Sequence, residues 1–169
     1  MTRGTPIRAG ALVAVAGGAL RAGASFAPIV IGSDLGRESL YVVVDACLTV
    51  GLVAFYIQRS GGLGRWGTLG LAAVLVGIAI IRANRAISAA DLYPVGALTI
   101  ACGVMILTIR AWIVKGIHGW IPAAFILSTV VGVVGSAVQS PDLFVCSGVM
   151  FGIAFTGLGV ETWTSASSS

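Results

Sequence analysis

Polar positions are sparse along this 169-residue chain, and they divide it into six apolar stretches: 9–31, 40–58, 66–84, 92–114, 120–138 and 143–160. A helix needs about 20 apolar residues to cross the hydrocarbon of a bilayer. Each stretch is near that length, and the connections between them are short. The segment 32–39 carries Asp34, Arg37 and Glu38, the segment 59–65 is glycine-rich, and Ser140, Pro141 and Asp142 make a tight turn. Pro94 and Pro122 fall in expected first turns, where proline is tolerated. The third stretch is apolar only to Ile81, so its helix is expected to continue through Arg82 and Arg85, with their side chains snorkelling to the interface. The pattern predicts an all-α membrane protein, a six-transmembrane-helix bundle forming one domain over 1–163. A flexible, serine-rich tail is expected at 164–169.

Composition agrees. Hydrophobic residues make up 57% of the chain and charged residues 9%, against about 25% charged in a soluble domain. So few charges cannot clothe a water-facing surface. The net charge of +4 is spread singly between apolar stretches, without a basic run, so nucleic acid is not an expected partner. Lipid is. Cys47, Cys102 and Cys146 lie inside apolar stretches at wide spacing, which reads as packing rather than as a disulfide or metal framework. Arg3 and Arg8 precede the first apolar run, and Ala22-Gly23-Ala24 resembles a signal-peptide cleavage pattern. Arg21 interrupts that pattern and the apolar run resumes to Ile31, so a retained membrane helix is expected.

The cations set the expected orientation. With six spans, one side receives Arg3, Arg8, Arg59, Arg65, Arg110 and Lys115. The other receives Arg37, Arg82 and Arg85 with Asp34, Glu38, Asp91 and Asp142. The richer side is expected to be cytoplasmic, with both termini. Trp66, Trp120 and Trp163 fall at that same interface, where indole rings anchor. The expected host is a bacterial inner membrane. Leu40, Tyr41 and Gly51 are matched by Leu92, Tyr93 and Gly103 at a constant offset, which suggests a parallel repeat of two helical hairpins.

The chemistry-bearing candidates are few. Arg21 lies mid-stretch, at a cost of roughly 2.5–3.5 kcal/mol if left in hydrocarbon. Small residues at helical spacing turn it toward other helices. Asp45 on the next stretch is its expected partner. Arg21 is on the order of 15 Å, and Asp45 about 7–8 Å, from the connecting loop. Tyr41, Thr49 and Ser25 are expected to complete a small polar cluster. Gly148 and Gly152 form a GxxxG pattern, and Ser128, Gly132 and Ser136, like Ala73 and Gly77, recur every four residues; all suit close helix packing. His118 is the single histidine and stands beside Lys115 in a turn. A metal centre needs three or four ligands, and no nucleophile–base set, phosphate loop or dinucleotide motif is present. No cofactor, metal or enzymatic activity is expected.

Two functions remain. A homo-oligomer or a larger membrane complex is expected, and the first function is an accessory, scaffold or assembly subunit in the membrane. The second is a small oligomeric permease or channel that uses the Arg21/Asp45 pair.

Overall fold

A computed structural model of the chain describes residues 4–87 and 92–167. Arg3 and Asp91, counted above for orientation, lie outside the described residues, as does the side chain of Arg85. All regular structure among the described residues is helical: α1 (Gly4–Ala24), the single-turn α2 (Ala27–Val30), α3 (Asp34–Ile87), α4 (Tyr93–Ile113), α5 (Trp120–Val138) and α6 (Pro141–Ser167). Five of these are long and apolar enough to cross a membrane.

α5 has its expected bounds and α4 nearly so. The first stretch differs. A continuous helix to Ile31 was expected; α1 ends at Ala24, and α2 follows with a proline in its first turn. Proline has no N–H, so Pro28 cannot close the helical bond to the carbonyl four residues back, which is that of Ala24. The Tyr41 hydroxyl donates to that carbonyl instead, at 3.3 Å.

α3 differs more. It starts at Asp34 rather than Leu40, because Ser33 acts as a cap: its hydroxyl accepts the Gly36 N–H at 3.3 Å. Asp34 suits the positive end of the helix dipole and pairs with Arg37 one turn on. The glycine-rich segment 59–65, expected as a turn, is helical except at Gly64 (φ 57°, ψ −158°). Only glycine adopts that backbone region readily. Glycine costs a helix only about 1 kcal/mol relative to alanine, and no proline stands between Pro28 and Pro94 to force an earlier exit.

The chain divides into two compact units, Met1–Gln58 with Gly119–Ser169, and Arg59–His118. In the first unit α1 runs antiparallel to residues 34–58. Ala14 meets Gly51, and Gly17 meets Cys47. The other side of α1 lies antiparallel on α6. A Cβ built on Gly152 would sit 2.5 Å from the Gly18 carbonyl oxygen, and one on Gly159 would sit 2.8 Å from the Val15 nitrogen. α6 also packs antiparallel on α5. There the Ser128 and Ser147 hydroxyls each donate to the other residue's carbonyl, both at 2.9 Å. Phe125 and Phe151 meet edge to face with centroids 5.1 Å apart.

The second unit is an antiparallel pair built on residues 65–87 and α4. Glycine faces glycine in it. A Cβ on Gly103 would lie 2.6 Å from the Gly70 oxygen, and one on Gly77 would lie 2.7 Å from the Gly96 oxygen. Gly51 and Gly103, matched in the suggested repeat, thus have different neighbours.

α1 is small-residue inside and aliphatic outside, whereas the other helices also bury large side chains such as Phe55, Phe125, Phe155 and Leu107. Ala11, Ala14 and Ala24 of α1 are buried, while Leu12 (55%) and Leu20 (39%) are exposed. In lipid, close backbone approach through small residues drives helix association, and large aliphatic side chains face the tails without penalty. This arrangement is compatible with membrane insertion.

Of the tail expected at 164–169, residues 164–167 continue α6 as helix, and residues 168 and 169 lie outside the described residues. The Arg8 side chain donates to the Ala166 carbonyl from Nε (3.4 Å) and Nη2 (3.3 Å), and its guanidinium stands 5.9 Å from the Trp163 ring centroid. A cation at the carbonyl end of a helix stabilises it, and Ala166 is buried.

Candidate functional site

The site is centred on Arg21, in the last turn of α1. Gly10, Ala14 and Gly17 form the stripe of α1 that meets residues 47–54, and Arg21 continues it one turn further. Paired positions across this seam (Ala14 with Gly51, Gly17 with Cys47, Ala24 with Tyr41) bring Arg21 level with Val44 and Asp45. The depth offset inferred from the sequence closes because Tyr41 docks on Ala24, the last residue of α1. Arg21 and Asp45 are both half-buried. The Arg21 guanidinium also reaches α6: a Cβ on Gly148 would stand 3.2 Å from Arg21 Nη1 and would collide with Ser25 Oγ. Gly148 is therefore the space that the arginine occupies beside Ser25.

Of the other expected cluster members, Ser25 and Tyr41 make their own bonds. The Ser25 hydroxyl, buried, donates to the Arg21 carbonyl at 3.2 Å. Tyr41 is committed to Ala24. Thr49 is half-buried one turn beyond Asp45.

The packing glycines sit at three seams. Gly148 and Gly152 face α1, Gly132 faces Ser147, and Gly77 faces Gly96 and Ile100. Ser136 is exposed; Gly135, its neighbour, takes the seam position against Leu143. The heptad spacing of Gly70 and Gly77 on one helix and Gly96 and Gly103 on the next is a signal that the four-residue pattern misses, since antiparallel helices meet on a seven-residue repeat. Trp66 and Trp120 are strongly exposed and Trp163 less so. Gly157 lies directly beneath the Trp120 ring.

The remaining candidates are dispersed. His118 is exposed. Cys102 and Cys146 are exposed thiols and Cys47 is half-buried, with Cys146 Sγ 3.9 Å from Met150 Sδ. Among the described residues no group of three His, Cys, Asp or Glu converges to hold a metal. A shallow apolar groove of about 650 Å³ lies on the first unit, lined by Ala16, Ala19, Leu20, Gly23, Ala24 and Leu40. No charged or hydrogen-bonding side chain contributes to it. Comparison with protein-family models, with curated proteins and with solved structures finds no match for this chain.

Proposed function

We propose that the chain is a six-span membrane protein that works by packing, as an accessory, scaffold or assembly subunit without catalytic chemistry. One observation carries this reading. The interhelical seams are closed by backbone-to-backbone contact at Gly18/Gly152, Gly70/Gly103 and Gly77/Gly96, while small and aliphatic side chains of α1 stay exposed around an apolar groove. Such seams leave no room for a solute, and such a face suits another helix.

Six spans rest on length and parity. The apolar helical segment Asp34–Asn84 has 51 residues, about 77 Å at 1.5 Å per residue, more than twice the roughly 30 Å hydrocarbon. It turns at Gly64. In the first unit the start of α1 meets the end of α6 through Arg8 and Ala166. The start of α1 and the end of α6 at one end of the unit support an even number of crossings, in which α3 crosses twice. The surplus of arginine and lysine in the segments that the sequence assigns to the side of the termini supports cytoplasmic termini, and the bacterial inner membrane is the host in which this asymmetry operates.

The test is purification in mild detergent followed by native mass spectrometry. A stoichiometric complex with a different membrane protein supports the subunit reading; a closed homo-oligomer with no second chain overturns it. The level placement of Arg21 and Asp45 favours one second reading, a small oligomeric permease with this pair as a polar step. A double-mutant cycle of Arg21→Ala and Asp45→Ala, read by SDS unfolding, is expected to show coupling of about 1 kcal/mol or more if the two charges meet. Strict additivity discards the pair. Solute flux in proteoliposomes, lost in Asp45→Asn, is what the permease reading requires.

A further inference from the structure

The second unit is strongly unbalanced in charge. Residues 59–118 hold Arg59, Arg65, Arg82, Arg85, Arg110 and Lys115 against one carboxylate, Asp91. Four of these cations gather at the end of the unit that carries the turn after α4. Arg59 lies over the turn after α4: a Cβ on Gly116 would sit 3.1 Å from Arg59 Nη1. Gly62 faces Val114, and Gly70 faces Gly103 and Leu107, so the seam brings Arg110 level with the Gly64 corner and with Arg65, which follows it. Arg110 Nε is buried and has no hydrogen-bond partner. Lys115 is exposed and held at positive φ (55°), which fixes its backbone beside Gly116.

A buried guanidinium nitrogen left unbonded is costly, and guanidinium groups prefer planar, bidentate partners such as phosphate. Trp66 and Trp112, both exposed, flank the same end, as indole rings do at headgroup depth. We propose that this end of the second unit is a binding site for the phosphate of an anionic lipid headgroup, with Arg110 at its base and Arg59, Arg65 and Lys115 around it. This rests on the membrane reading above, because the ligand is delivered by the bilayer.

The full chain is reconstituted in nanodiscs containing 30% phosphatidylglycerol in phosphatidylcholine, and retained lipid is read by native mass spectrometry after transfer to detergent. Phosphatidylglycerol is expected to be retained preferentially, and Arg110→Gln to weaken that preference about fivefold. Lys115→Gln, at an exposed position, is the second variant and is expected to weaken it in the same direction; it decides the matter if Arg110→Gln does not fold. Arg37→Gln, outside the site, controls for net charge and should leave the preference unchanged. Equal retention of the two lipids, or an equal loss in Arg37→Gln, overturns the proposal. Displacement of the lipid by millimolar inorganic phosphate also overturns it, by assigning the site to free phosphate. Release of the protein from membranes by alkaline carbonate would instead sink the membrane reading itself.

Discussion

Lys115 and Gln139 stand in the left-handed region, with φ 55° and 53°. Each ends a helix in the same way. The Gly116 N–H bonds the Ala111 carbonyl and the Lys115 N–H bonds that of Trp112; Ser140 and Gln139 repeat the pattern on Gly135 and Ser136. Glycine is the usual residue at that position because a Cβ there is strained. Gln139→Gly is therefore expected to stabilise the fold by about 1 kcal/mol, seen as a higher SDS midpoint for unfolding. An unchanged or lower midpoint would show that the unfolded-chain entropy of glycine outweighs the relieved strain. Arg8 acts at the same scale, since its guanidinium holds the last turn of α6. Arg8→Ala is expected to speed carboxypeptidase trimming of residues 161–167 and leave the rest of the chain protected.

At the scale of elements, backbone proximity decides the seams. A Cβ on Gly152 would press on the Gly18 oxygen and on the Ala22 nitrogen at 2.7 Å. Neither atom can rotate away. Gly152→Val is expected to cost about 3 kcal/mol, the upper end of overpacking penalties, and to separate α1 from α6 in cysteine cross-linking across that seam. Gly103→Val should act likewise within the second unit, against the Gly70 oxygen and Val74. Gly23, with nothing within 4 Å of a built Cβ, is the comparison: Gly23→Ala is expected to be tolerated or mildly stabilising, because alanine favours helix. Ser128 and Ser147 join α5 to α6 by two bonds that neither residue makes alone. Removing one hydroxyl forfeits one bond, a loss of about 1 kcal/mol in a membrane bundle.

For the whole molecule, the decisive contact is between its two ends. The Arg8 to Ala166 bonds bring the start of α1 and the end of α6 together. Epitope tags at residue 1 and residue 169 are thus expected on the same side of the membrane. The antiparallel seams of the first unit put Gly32 at the end opposite to both termini. In spheroplasts, both tags should resist external protease, while a cleavage site inserted at Gly32 should be cut. Tags with opposite protection would break the parity on which six spans rest.

Local chemistry fixed much of this in advance. The scarcity of charge dictated helices that shed water, and the apolar stretch 120–138 became α5 with the bounds read from polarity alone. Arg21 and Asp45 were recognisable as costly residues from their position in apolar stretches, and the tryptophans from their place at the ends. Four features were decided only by tertiary structure. The helix through 59–63 survives its glycines because it packs on the α4 end, which no composition rule contains. The Ala24 carbonyl that Pro28 leaves open is satisfied by a tyrosine 17 residues away. The last turn of α6 forms because Arg8, distant in sequence, supplies the cation at its end. And which glycines meet, Gly70 with Gly103 and Gly152 with Gly18, depends on register between helices. Periodicity marks a face of a helix, but its partner is chosen by how closely two backbones can approach.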